Sequence, residues 1–307
     1  MFRTVITAFK IFELVSGSSE AVFNLIGTSR GLTIPTHMSR ELLIDPRSRS
    51  TRVYSSYPTN PRDGVRLLNV VTADGAFVSL PLTQQCEPLR ESDVRAYMSI
   101  TPGSSFSAYF GNAMLLPPSG DHSTFRLMAG SVDPGAHCDG GTIGYANMPG
   151  DAISFNVQAS LVAATGRTLE DSEATTQTQS QRTQFGIRTD IESSIIPFEL
   201  YTRFVDELLA VAGVPDQDAL TDLDWSTFID RLPSIQYTVY RSDDSSEVVA
   251  RILLEPREFI EFLPMGPKAR LLPSVHGNQC SLGLNALKYI GLFLDYHNSR
   301  IGFCEPL

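Results

Sequence analysis

The segment Ile187-Arg188-Thr189-Asp190-Ile191-Glu192-Ser193-Ser194-Ile195-Ile196-Pro197 concentrates the strongest candidate chemistry of the chain. An apolar lead-in, a small polar turn, an apolar pair and a proline follow one another, and the turn carries one cation between acids. Buried, the Arg188 guanidinium needs an acceptor, or its desolvation costs several kcal/mol. Asp190 and Glu192 are close enough in sequence to supply one. Two uses follow from that pattern: a structural ion pair, or an anion pocket in which Arg188 clamps a C-terminal carboxylate through two parallel N–H bonds. Asp190 acting alone as an acid would lack the second carboxyl that shares its proton and orients a water.

Other reactive residue types are spaced for structure. His37, His122, His137, His276 and His297 are scattered with no ligand spacing, and His297 sits in an expected hairpin turn, Tyr296-His297-Asn298-Ser299. His137 and Cys138 adjoin Asp139, but neighbours in a strand point to opposite faces and do not pair. The four cysteines fall in sequence as Cys86 with Cys138 and Cys280 with Cys304, without CxxC or Cys-His metal spacing. One disulfide per half, which suits an oxidising compartment, and four buried free thiols fit equally well. The turns Gly103-Ser104-Ser105 and Gly140-Gly141-Thr142 lack the lysine and the strand-loop-helix setting of a phosphate loop. No metal or cofactor is expected.

Composition bounds the rest. With 307 residues, 42% hydrophobic and 19% charged, the chain reads as globular, either one large domain or two. A net charge of -10 argues against a nucleic-acid partner. The one basic cluster, Arg40, Arg47, Arg49 and Arg52, reads as a solvated loop, with a local acidic contact as the alternative. No apolar run is long enough for a membrane span. Residues 1–15 are broken by Arg3, Lys10 and Glu13 and make a poor secretory signal; Thr4–Leu14 alternates as a strand, with a mitochondrial presequence the weaker reading.

These candidates are carried by short β-rich runs between turn residues: 4–14, 21–26, 66–71, 76–82, 153–161, 235–240 and 248–254. That spacing indicates a mostly antiparallel β protein. A helix is expected over Glu199–Val211, where Leu200, Phe204 and Leu208 recur at helical spacing and Gly213 and Pro215 close the segment. A short second helix is expected over Leu284–Ile290, before a strand at Leu292–Leu294. Residues 167–184, rich in Thr, Gln, Ser and Glu, read as a flexible loop. Leu25 to Pro35 parallels Ile187 to Pro197 in form, which implies two halves of like construction, 1–150 and 151–307.

Taken in order, several motifs resemble the pepsin-like aspartic protease family (peptidase family A1). After the turn at 187–197 come Leu232-Pro233-Ser234-Ile235, Leu254-Glu255-Pro256-Arg257-Glu258-Phe259, and Ser281-Leu282-Gly283 with Asp295 and Arg300-Ile301-Gly302-Phe303. In the first half, only 21–35 and Cys138-Asp139-Gly140-Gly141-Thr142-Ile143-Gly144 are similar; 45–130 match poorly, and no flap tyrosine stands near Asp74–Phe77. The resemblance implies a mostly β, bilobal pepsin-like fold with a few short helices and an aspartate-bearing turn from each lobe at a central cleft. It also implies a protein that is secreted or endolysosomal, which the poor signal weakens. Counting back from Pro197 and Pro35 puts Arg188 and Ile26 at the two catalytic positions, with Thr28, Ser29, Thr189 and Asp190 beside them. The earliest aspartate of the chain is Asp45, and Glu13, Glu20 and Glu41 lie outside the turn. The implied function is non-catalytic: a pseudoenzyme that binds a peptide or protein segment or forms part of an assembly. The rival is an aspartic-type endopeptidase rewired around Asp190.

Overall fold

The computed structural model describes residues 20–28, 31–35, 41–47, 52–53, 60–62, 65–81, 96–119, 124–150, 152–162, 182–215, 229–263, 266–275 and 280–307. The expected strand at 4–14 and most of the expected loop at 167–184 lie outside them, as do Ser29, His37, Cys86, His122 and His276. The protein is mostly β. It divides into two compact units, the first comprising Met1–Ile153, Arg188–Ile191 and Ile290–Leu307, the second Ser154–Ile187 and Glu192–Tyr289.

The first unit holds β1 (Ala21–Thr28), β2 (Gly31–Pro35), β3 (Glu41–Asp45), β4 (Arg52–Val53), β5 (Asn60–Arg62), β6 (Val65–Val71), β7 (Phe77–Pro81), β8 (Ala96–Ser99), β9 (Asn112–Leu116), β10 (Phe125–Ala129) and β11 (Gly144–Asn147). The end of the chain adds β21 (Gly291–Asp295) and β22 (Arg300–Cys304). Ten of these form one sheet in the order β11-β22-β21-β9-β10-β1-β2-β3-β8-β4, and β5-β6-β7 form a second. Helix α1 (Ser105–Phe110) buries Phe106 and is capped by the Ser104 side chain, which accepts from the Ser107 N–H. Strand β1 joins the two halves of the large sheet: Ala21–Leu25 pair with β10 and Ile26–Thr28 with β2. Phe23, Leu25, Leu32, Ile34 and Leu42 supply the core there.

The second unit holds β12 (Ser154–Val162), β13 (Thr183–Ile187), β14 (Ser194–Ile196), β15 (Ser234–Tyr240), β16 (Val248–Leu254), β17 (Ile260–Leu263), β18 (Gly266–Ala269), β19 (Leu271–Pro273) and β20 (Cys280–Leu282). Seven form a sheet in the order β16-β15-β12-β13-β20-β14-β19. Helix α2 (Phe198–Ala212) buries Leu200, Phe204 and Leu208 as the periodicity requires and ends at Gly213 in the left-handed conformation. Phe204 meets Phe259 of α3 (Pro256–Phe259) edge to face at 5.4 Å. Helix α4 (Leu284–Leu287) is shorter than the expected 284–290.

Two expectations change. The last strands belong to the first unit and not to a C-terminal half ending at 307: β21 pairs with β9, β22 with β11, and Tyr296 Oη donates to Ile100 O at 2.7 Å. The cysteines do not pair as neighbours in sequence. Cys138 is bonded to Cys304, Cys280 is a buried free thiol, and Cys86 lies outside the described residues. The cause is the same in both cases, since bringing β22 beside β11 carries Cys304 to Cys138. His137 ends a short 3-10 turn rather than lying in a strand. The disulfide sits among Met114, Leu116, Met128, Val132 and Phe293.

Closing 166 residues of chain stabilises the folded state by about 5 kcal/mol in the chain-entropy account. Cys138→Ala with Cys304→Ala should therefore lower the urea midpoint markedly without changing the spectrum of the folded protein. Burial, helped by the Glu199 charge, pushes the Cys280 thiol up to about 11. Iodoacetamide at neutral pH should leave Cys280 unmodified until the protein unfolds, as read by peptide mass mapping.

Candidate functional site

Each unit contains the same three-strand arrangement, in which two successive strands are separated by a third inserted between them. In the first unit β8 runs parallel to β3 and antiparallel to β4. In the second, β20 runs parallel to β13 and antiparallel to β14. The register makes the two superimposable in sequence. Asp45 closes β3 and Arg52 follows it by seven residues; Arg188 follows β13 and Ile195 follows it by seven. Asp45-Pro46-Arg47 is thus the counterpart of Arg188-Thr189-Asp190.

Residues around Ile26 do not share this three-strand arrangement. Strands β1 and β2 pair directly and antiparallel, Ile26 with Thr33, with no strand inserted between them. The Ile26 side chain is half exposed, and Thr28 Oγ1 donates locally to Gly31 O at 3.0 Å. Asp45 and Arg47 were overlooked because Pro35 served as the anchor for counting. A sequence signal was nonetheless present: Leu42-Leu43-Ile44-Asp45 is an apolar run ending in an aspartate, and Ser48 and Ser50 follow it.

Four charged side chains meet here, all within the first unit. Arg188 Nε and Nη2 donate to Asp190 Oδ1 and Oδ2 at 2.7 and 2.8 Å, a bidentate pair. Arg47 Nη2 donates to the same Oδ2 at 2.9 Å, and Arg47 Nε lies 3.7 Å from Asp45 Oδ1. The Arg47 backbone N–H donates to Asp45 Oδ1 at 2.9 Å. The chain of charge therefore runs Asp45–Arg47–Asp190–Arg188 and is neutral as a whole. Of the two acceptors expected for Arg188, Asp190 takes it. Glu192 faces Arg270 at 3.3 Å and Lys288 at 3.5 Å in the second unit. Burial is the largest effect on the Asp190 carboxyl and raises its pKa, yet the hydrogen bond from Arg188 and the charges of Arg47 and Arg188 outweigh it. The net result is a pKa below the usual 3.8.

Thr189 fixes this turn. It is wholly buried; its Oγ1 donates to Ile44 O at 2.7 Å and its carbonyl accepts from the Leu32 N–H at 2.7 Å. Gly31, at φ +119°, lies so close to the Thr189 carbonyl that a Cβ there would overlap it. On the second-unit side, Ser194 Oγ donates to Asn285 Oδ1 at 2.7 Å and accepts from the Gly283 N–H at 3.1 Å. The Asn285 N–H donates to Glu192 O at 3.0 Å. Hydrogen bonds thus hold Thr189 in one part of this segment and Glu192 and Ser194 in the other.

The arrangement holds charge in place through these pairs. A proton shared between two acids requires one carboxyl to be neutral, and two guanidinium groups on Asp190 keep it ionised. Among the described residues no group of three or more His, Cys, Asp or Glu side chains forms a metal site. Among the same residues no helix is long and apolar enough to cross a membrane.

Two substitutions test the geometry. Thr189→Val removes the bond to Ile44 and should cost about 1–3 kcal/mol, measured by urea unfolding. Because the folded-state pKa of Asp190 is depressed, its contribution to stability is complete above the ordinary value of 3.8 and is lost as pH falls through the lower folded value. Asp190→Asn should thus be less stable than the parent by a constant amount above about pH 5, with the gap closing in stronger acid.

No family model matches the chain, and no curated protein matches it.

Proposed function

We propose that this chain is a pepsin-like protein that has lost the proteolytic dyad and serves as a non-catalytic peptide- or protein-binding protein. The carrying observation is the ion-pair chain Asp45–Arg47–Asp190–Arg188 at the two corresponding turns. An aspartic protease activates water with two carboxyl groups that share one proton, one acid being neutral while the other is charged. Here arginine occupies one of the two positions, at Arg188, and aspartate the other, at Asp45. Arg47 approaches both Asp45 and Asp190, so each acid faces a cation. The repeated strand arrangement of β3, β8, β4 and β13, β20, β14 supports the two-lobed reading of the fold. The ordered motifs of the second half support it as well.

Losing the dyad leaves binding as the role that such a fold can still perform. The alternative is a hydrolase that uses Asp190 as its acid. It is disfavoured by the bidentate Arg188 pair, which occupies both oxygens of that carboxylate.

Incubation with a denatured protein substrate between about pH 2.5 and 7, with and without a transition-state-mimicking peptide inhibitor, separates the two. Silence at every pH is the expected result. Acid proteolysis that the inhibitor blocks and that Asp190→Asn abolishes would overturn the proposal.

A further inference from the structure

The two arginines of the charge chain are not equivalent. Arg188 spends its planar fork on Asp190, and its side chain is 22% exposed; Arg47 gives a single Nη2 bond to Asp190, and its side chain is 49% exposed. Among the described residues Arg47 has no other side-chain hydrogen bond, and its Nε lies beyond bonding distance of Asp45. A guanidinium carries five N–H donors, so the single bond to Asp190 leaves donors of this half-exposed side chain that no described residue takes up. Its surroundings in sequence are basic. Residues 40–52 contain four arginines against two acids, a surplus of +2 in a chain whose net charge is -10.

We infer that Arg47, and not Arg188, is the recognition residue of this site and that it takes a carboxylate of a bound peptide segment. The inference rests on the peptide-binding reading above and adds the chemical class of the ligand. Positioning is the role left to Arg188: it neutralises Asp190 and thereby keeps Arg47 from being drawn wholly onto that carboxylate. A planar guanidinium bonded to Asp190, with the Asp45 carboxylate 3.7 Å from its Nε, is already oriented, so pairing with a ligand carboxylate loses little side-chain freedom. The charge balance favours an anion as well. The quartet is neutral by itself, and the surplus of its neighbours is positive.

The experiment competes two pools of N-acetylated hexapeptides, randomised in sequence, for the immobilised full chain. One pool ends in a free carboxylate and the other in a carboxamide, and retained peptides are counted by mass spectrometry. The wild-type chain should retain the carboxylate pool about tenfold over the carboxamide pool if the ligand carboxylate is terminal. If it comes from a side chain, peptides retained from the carboxamide pool should instead be enriched in Asp and Glu. Arg47→Gln should abolish either preference, and Arg47→Lys should weaken it. Arg241→Gln, which removes an exposed arginine of the second unit paired with Glu247, should leave it intact and so separates local recognition from net charge. Retention with no preference for carboxylates, or a preference that survives Arg47→Gln, overturns the assignment to Arg47 while peptide binding stands. If no peptide is retained, the peptide-binding reading itself falls, and the inference with it.

Discussion

The geometry of the site depends on one buried threonine. Thr189 has neither a charge nor a long side chain, but its hydroxyl and its carbonyl reach two different strands, β3 through Ile44 and β2 through Leu32. Both bonds are shielded from water, where a hydrogen bond lost without replacement leaves an unsatisfied polar group. The absence of a side chain at Gly31 is what permits the approach. With the backbone of the turn fixed in this way, Arg188 and Asp190 on either side of Thr189 emerge from a rigid base, and their bidentate pairing costs little additional ordering. Without that base, the same two residues would form an i, i+2 surface pair of small value.

The charge chain belongs to an intermediate regime. Asp190 is neither fully buried, where a pair rarely repays its desolvation, nor fully exposed, where solvent and salt weaken it. Two cations on one carboxylate tip the balance toward the ionised form in spite of burial. Asp295 in the β21–β22 hairpin shows the same logic. Burial is the largest effect and raises its pKa, but hydrogen bonds from Asn298 and Arg300 bring it below the usual value. At both Asp190 and Asp295, donors outweigh the cost of burial.

Much of the fold was legible from local pattern. Strand Val248–Leu254 and helix Phe198–Ala212 follow from β-branched runs and from helical spacing with a closing glycine, both of which are local properties. The turn at 188–193 was legible for the same reason, and Asp190 was one of the two acceptors, with Glu192, that the sequence offered Arg188. Nonlocal facts were less accessible. Cys138 finds Cys304 because β11 and β22 are neighbours in a sheet, and no spacing rule encodes that. Counting from the prolines does not lead to Asp45 and Arg47, because Pro35 and Pro197 stand at different places in their strand arrangements. Pro35 ends a hairpin strand, whereas Pro197 opens helix α2. Register within a sheet, rather than the position of a turn residue, identifies the corresponding positions.

The first unit is discontinuous, and this has a consequence for how the chain is made. Strands β9 and β10 leave the ribosome long before β21, which must lie along β9. For the time needed to synthesise residues 117–290, the backbone edge of Asn112–Leu116 has no partner in that position. Its sequence is apolar and mostly buried in the finished sheet, which makes it the type of edge that attracts other extended chains. A nascent chain of this protein therefore passes through an interval in which aggregation competes with completion of its own sheet. Folding helpers that shield extended apolar segments would matter most during that interval, and the Cys138–Cys304 cross-link holds the completed sheet together under oxidising conditions.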